Sequence, residues 1–204
     1  MNSEINDFLR IIRNCRYTNT YKMVWARSLV KISEEKNTDN SEETIIYLTE
    51  IANLFFKFYW NISSNNYIEQ GPSGNKKPII YSIVYNTMNR YKELNGTFDF
   101  YSKAIKKFKD YNINYSVIIN EIKDILKHDV SYRFLILDNT KINIYNYIKG
   151  KDFLVISNDL LKDMKLHIDS IISFIDKRWL LSLKKFNINI DDTNIEELLK
   201  NVDK

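Results

Sequence analysis

One cysteine, two histidines, two prolines and four glycines are all that 204 residues contain of these types. With Cys15 alone, no disulfide forms within the chain, which fits a reducing compartment. Cys15, His128 and His167 cannot complete a four-ligand zinc site. Nothing in the sequence sets Cys15 beside either histidine as a nucleophilic pair. No apolar run approaches the ~18 residues a membrane span requires, and the polar start from Met1 to Asp7 lacks an apolar signal core. These absences predict a soluble cytoplasmic protein, with no cofactor, no metal and no membrane partner. The glycines form no phosphate cradle of the strand–loop–helix type. Gly71 and Gly74 lie between helical stretches without a following Lys-Ser or Lys-Thr. The acid-x-Lys spacing of metal-dependent nuclease cores occurs at Glu121-Ile122-Lys123 and Asp163-Met164-Lys165. Both fall in helical segments, where they read as solvated charges, whereas that core presents its acid and lysine from a strand. No catalytic signature is visible.

What is present is apolar and aromatic. Residues of hydrophobic type make up 44% of the chain and aromatics 14%, with 14 Tyr and 11 Phe, enough for one sizeable core. The net charge of +4 is unevenly spread: residues 188–204 carry −3, which leaves +7 on the first 187. Such a body invites a polyanion, though less strongly than a dense basic run. The organisation expected is a single α-rich domain over 1–186 and an acidic C-terminal tail over 187–204.

Helical periodicity dominates the first two thirds, so the fold class predicted is mainly α, within α+β. Ile5, Phe8, Leu9 and Ile12 share one face of a first helix with Ser3 as N-cap. Tyr21, Val24, Trp25, Leu29 and Ile32 line a second, opened by Thr18 or Thr20. Ser41 begins a long third helix through Ile45, Leu48, Ile51, Phe55, Phe56 and Tyr59, apolar nearly all round and therefore central. Pro78 suits the first turn of a fourth helix, closed at Asn95-Gly96. A fifth spans about Phe100 to Tyr111 and a sixth about Asn114 to His128. The period then becomes alternating. Tyr132–Leu137, Ile142–Tyr147 and Phe153–Ile156 predict a small three-stranded antiparallel β-meander near residues 131–157. One long helix from Asn158 or Asp159 to Leu183 follows, then a short one from Ile195 to Lys200.

The scarce residues are not scattered. Both prolines and two of the four glycines fall in Gln70-Gly71-Pro72-Ser73-Gly74-Asn75-Lys76-Lys77-Pro78. Glycine admits φ > 0 and close backbone approach, and proline fixes φ, so the cluster specifies one loop shape. Its lysines and backbone N–H groups suit an anion such as phosphate. The alternative is a plain helix-to-helix connector.

Ordered segments around that loop form a wider pattern. They are Asn19-Thr20-Tyr21-Lys22-Met23-Val24-Trp25-Ala26-Arg27-Ser28-Leu29-Val30, then Glu50-Ile51-Ala52-Asn53-Leu54-Phe55-Phe56-Lys57-Phe58-Tyr59-Trp60-Asn61, then the loop itself. Asp129-Val130-Ser131-Tyr132-Arg133-Phe134-Leu135 and Arg178-Trp179 continue the order. The chain resembles the N-terminal, non-catalytic region of bacterial HNH endonucleases of restriction-enzyme type, from about residue 5 to about residue 186. In those proteins a helical part precedes a C-terminal HNH module with Cys-x-x-Cys pairs. None of that module's cysteines or histidines is present here, so the resemblance transfers no catalytic residue.

What the resemblance implies is a DNA-recognition domain for double-stranded DNA, tied to restriction and phage defence. Base readout and phosphate anchoring need Arg, Lys, Asn and Gln on a rigid scaffold. The candidates are Lys22 and Arg27 on the second helix, Gln70, Ser73, Asn75, Lys76 and Lys77 in the loop, and Lys103, Lys106 and Lys107 on the fifth helix. Arg13, Arg16 and Lys109 are further phosphate contacts. The competing expectation is an interaction module that forms a homodimer or docks a separate nuclease subunit, anchored on Trp60, the tryptophan expected nearest the surface. A third is a divergent nuclease with an unrecognised site.

Overall fold

The computed structural model describes residues 3–16, 18–37, 41–63, 68–72, 77–189 and 191–204. Helix α1 (Ser3–Asn14) buries Ile5, Phe8, Ile11 and Ile12, four positions that helical spacing puts on one side. Helix α2 (Tyr21–Glu35) is interior from Met23 to Val30, and packs against α1, α3 (Leu48–Ile62), α8 (Asn158–Leu166) and α9 (Ile168–Phe186). The central role expected of α3 is therefore shared with α2. Between them Trp25 meets Phe55, Phe134 and Tyr145 at ring-centroid distances of 6.4, 6.2 and 6.1 Å. Each such fully buried large side chain is worth about 1.5–3 kcal/mol against exposure.

Helix α4 (Ile79–Asn95) starts directly after Pro78 and ends on Gly96 in the left-handed region, φ 76°, where a side chain would be strained. A short α5 (Tyr101–Ala104) tightens into a 3₁₀ turn over Ile105–Lys107 instead of forming the longer helix expected there. Helix α6 (Tyr115–Ile125) opens on Asn114, whose side chain accepts from the Val117 N–H. It runs through a π-helical turn, Leu126–Val130, into α7 (Ser131–Phe134).

The mainly α class with one small three-stranded antiparallel sheet holds, but the strands differ from the meander expected. Tyr132 to Phe134 are helical, because Val130 and Phe134 are both buried one turn apart and continue the face of α6. Strands β2 (Ile136–Leu137) and β3 (Thr140–Lys141) form a separate hairpin. Asp138 and Asn139, at φ 47° and 63°, make its two-residue turn. The three-stranded sheet has β5 (Phe153–Ser157) in the middle, β4 (Asn146–Tyr147) on one side and β1 (Glu43–Tyr47) on the other. The β1–β5 register sets Ile45 opposite Val155 and Ile46 opposite Leu154. β1 lies where the third helix was expected to begin, and α3 starts only at Leu48.

A further difference concerns the C-terminal third: the last long helix is two, α8 and α9, broken at His167. The short helix expected in the acidic tail is present as α10 (Asp192–Lys200), and with the turn after it buries Ile195, Leu198, Leu199 and Val202. Asn61 donates to the Val202 carbonyl at 3.1 Å, and Lys184 pairs with Glu196 at 3.1 Å. Among the described residues, no helix is long and apolar enough to cross a membrane.

Candidate nucleic-acid interface

The junction between α1 and α2 is built by side chains that stand in for secondary structure. Thr20 donates its main-chain N–H to the Gln70 carbonyl at 3.0 Å and its hydroxyl to Gln70 Oε1 at 2.7 Å. The Tyr59 hydroxyl therefore donates to Thr20 Oγ1, 2.9 Å away. Trp179 Nε1 reaches the same Gln70 oxygen at 3.4 Å, while Gln70 Nε2 has no partner among the described residues. Asn187 holds the neighbouring residue, exchanging bonds of 2.8 and 2.9 Å with the Glu69 main chain. Gly71 lets the loop close: a Cβ there would stand 3.2 Å from Pro78 Cγ and 3.6 Å from the Thr18 carbonyl. The Ile80 N–H, in the first turn of α4, donates to the Tyr21 hydroxyl at 2.8 Å. The Tyr21 side chain thus ties the first turn of α2 to that of α4 at one corner.

Beside this corner lies a cleft of about 690 Å³, walled by the end of α1, the start of α2, the π turn with α7, and the β2–β3 hairpin. Lys22 spans it, donating to the Ile136 carbonyl at 2.7 Å. Burial pushes the Lys22 ammonium below its ordinary value, and the nearby Cys15 and Asp138 partly restore it. Arg16 is exposed at the rim, with no ion pair among the described residues. Arg133 stands opposite, paired with Asp129 one turn earlier, and is itself open to solvent. His128 and Tyr132 line the same wall. Behind the wall, Arg178 on α9 donates from Nε to the Ile12 carbonyl at 3.2 Å.

Cys15 and His128 do share this cleft, a pairing that sequence alone gave no reason to expect. It does not make a nucleophile. The thiol donates to the Ile12 carbonyl at 3.4 Å, and burial raises its pKa, with Lys22 and Arg178 only partly opposing. Among the described residues, no group of three or more His, Cys, Asp or Glu side chains is placed to hold a metal ion.

The residues singled out from the sequence divide sharply. Lys22 lines the cleft, and Lys77 is exposed where the loop enters α4. Ser73, Asn75 and Lys76 lie outside the described residues. Gln70 is fully buried, so its amide holds the loop and offers no edge to a base. Arg27 is only 4% exposed; it pairs with Asp176 and with Asp203 at 2.7 Å and lies 5.6 Å from the Phe58 ring centroid. Burial raises the Asp176 pKa, Arg27 pulls it down, and Asp203 adds to the rise. Lys103 and Lys107 converge on the buried Asp99 at 2.7 and 2.9 Å, where the Tyr91 hydroxyl also donates at 2.6 Å. Lys103, Tyr91 and Lys107 together hold the Asp99 carboxyl well below the usual range. Lys106 and Lys109 are exposed but line no part of the cleft. Trp60 is fully buried, its Nε1 donating to the Asp99 carbonyl at 2.9 Å, so it anchors no interface. Sequence reasoning missed Tyr132, Arg133, Asp138 and Asn139. The i,i+4 spacing of His128 with Tyr132 and of Asp129 with Arg133 was the available signal.

No protein-family model matches the chain, and no solved structure matches it. It is similar to one of the subunits of the ATP-dependent helicase/deoxyribonuclease of Clostridium botulinum (strain Loch Maree / Type A3). The two are 24% identical over 185 residues, which is 80% of this chain and 16% of that protein. The chain thus spans a small part of the length of this relative.

Proposed function

We propose that this chain is a DNA-binding module that serves a nuclease whose catalytic part lies outside these residues, in keeping with the resemblance to HNH endonuclease N-terminal regions. The observation that carries the reading is the cationic corner. Arg16, Lys22 and Arg133, against Asp129 and Asp138, line a cleft beside the first turn of α2. Phosphates favour helix N-termini and clustered Arg and Lys, and such contacts position a duplex without reading it. The partial likeness to a protein named as a helicase/deoxyribonuclease subunit agrees with a DNA-acting assembly.

The test is fluorescence anisotropy with short duplexes, methylated and unmethylated, across a salt series. Arg16→Gln should weaken binding to all duplexes alike and reduce the slope of log K against log salt by about 1, the signature of one lost phosphate contact. Absence of duplex binding at low salt, or an unchanged slope in the variant, overturns the reading.

A second reading, an interaction module, is favoured by β1. It is an edge strand, with Ile45 47% and Tyr47 55% exposed on the outer face of the sheet. An unpaired edge with apolar side chains is a template for an added strand. Ile45→Lys abolishing self-association or partner binding, with DNA affinity intact, would move this reading ahead.

A further inference from the structure

A duplex presents a convex surface with its bases stacked inside, whereas the cleft is concave and of a size suited to one small ligand. Its lining is not that of a plain phosphate clamp. Tyr132, on α7, stands in the wall with 50% of its surface open. His128 precedes it by one helical turn and is also exposed, and its imidazole makes no hydrogen bond among the described residues. Arg133 and Arg16 line the cleft with these rings, as do Asp129, which pairs with Arg133, and Asp138, and Leu137 adds an apolar residue on the hairpin side. Aromatic faces interleaved with cations are what an unstacked base with its phosphates requires, because every base has a π face and every nucleotide a charge.

The backbone is specialised where these side chains emerge. The π turn closes with the Ser131 N–H on the Leu126 carbonyl, so it holds an extra residue and sets the direction in which Tyr132 and Arg133 leave the helix. Opposite, Asp138 and Asn139 occupy the left-handed region at the hairpin tip and bring the Asn139 amide to the rim. An amide at that place supplies both a donor and an acceptor to a base edge.

We propose that the cleft receives a single unpaired nucleotide of DNA, extruded from a duplex or carried on a single strand, with its base stacked on Tyr132 and its phosphates on Arg16 and Arg133. This rests on the DNA-binding reading and narrows it: the module distinguishes paired from unpaired nucleotides. Duplex contacts around the corner position the molecule, and the cleft reports on the one base that has left the stack.

The experiment compares a perfect duplex, the same duplex with one bulged nucleotide, and the matching single strand, titrated by anisotropy into the full chain. The bulged duplex and the single strand should bind about tenfold tighter than the perfect duplex, the scale of one base–aromatic stack. Tyr132→Ala should erase that preference, and Tyr132→Phe should keep it, since the ring and not the hydroxyl carries the stack. A measurement without any variant uses 2-aminopurine at the bulge, whose fluorescence should fall on adding the protein as the base seats on a ring. Equal affinity for all three DNAs, or a Tyr132→Ala loss shared equally by all three, overturns the unpaired-nucleotide proposal while duplex binding stands. An unquenched 2-aminopurine in a bound complex overturns it too. No binding to any of the three sinks the DNA reading itself.

Discussion

The corner at α5 and the junction of α1 with α2 present the same raw material to a sequence reader, a few basic residues within a short stretch. At α5, Lys103 and Lys107 reach Asp99, a carboxylate the fold has already buried and surrounded with Tyr91 and Asn95. At the junction, Arg16 meets no carboxylate of the described residues within ion-pairing distance, and Lys22 donates to a main-chain carbonyl. Arg27, on the same helix as Lys22, follows the first pattern, clasped by Asp176 and Asp203. A basic residue is a candidate for a polyanion when neither it nor its acid partner is buried. Arg16 has no acid partner among the described residues, and Arg133 pairs with Asp129, itself open to solvent. That depends on which acids the fold places there, Asp99 close by in sequence and Asp176 and Asp203 far away, and counting lysines does not reveal it.

The contrast is broken most violently at Arg27. Arg27→Met leaves Asp176 half-buried beside Asp203 with no cation, and should cost about 2–3 kcal/mol in urea unfolding, less than for a fully buried pair because both acids keep some solvent. The DNA salt slope of the surviving folded fraction should not change. A change in slope would place Arg27 back among the DNA contacts.

Asp99→Asn should come next, at about 2 kcal/mol, since hydrogen bonds to a charged group are lost. It also carries a pH signature. The Asp99 carboxyl is depressed in the folded state, so its stabilisation is present above the unfolded value of about 3.9 and is lost as pH falls toward the lower folded value. The variant should therefore lose part of the acid-side slope of stability. With Lys103 and Lys107 released, it should also bind DNA more tightly at low salt, turning the first kind of corner into the second.

Gln70→Leu should cost about 1–3 kcal/mol, because it strips the acceptor from Thr20 and from the Trp179 indole. Preference among duplex sequences should be unaltered, and a relaxed preference would show that the amide reaches DNA after all. The smallest effect on stability belongs to Arg16→Gln, within about 0.5 kcal/mol as for other exposed positions. Its consequence should appear in DNA affinity alone.

Much of the helical frame was legible because period and punctuation agreed. Ile5, Phe8 and Ile12 mark the buried face of α1, and Pro78 and Gly96 bracket α4. β1 was hidden because Ile45, Leu48, Ile51 and Phe55 keep helical spacing across its boundary with α3. The β-branched run Thr44-Ile45-Ile46 before Tyr47 was the competing signal. Tyr132 to Phe134 deceived in the other direction, an aromatic, strand-like stretch that tertiary packing of Phe134 against Trp25 keeps helical. Of the site, Lys22 and Arg16 were visible as charges near a helical junction. The sorting of Arg27 and Gln70 into the interior was not, because their partners lie 149 and 109 residues further along the chain.

The π turn between α6 and α7 has a consequence for how this molecule tolerates change in length. Deleting any one residue from Leu126 to Val130 would permit a regular α-helix through the same region. Everything after it would then turn by about 100° and draw back by about 1.5 Å. Phe134, locked against Trp25 and Tyr145, resists that rotation; Tyr132 and Arg133, which face the cleft, do not. A single in-frame codon loss would thus set the core and the cleft wall against each other. Relatives that lack the extra residue would present different side chains to the cleft even if every other position were the same.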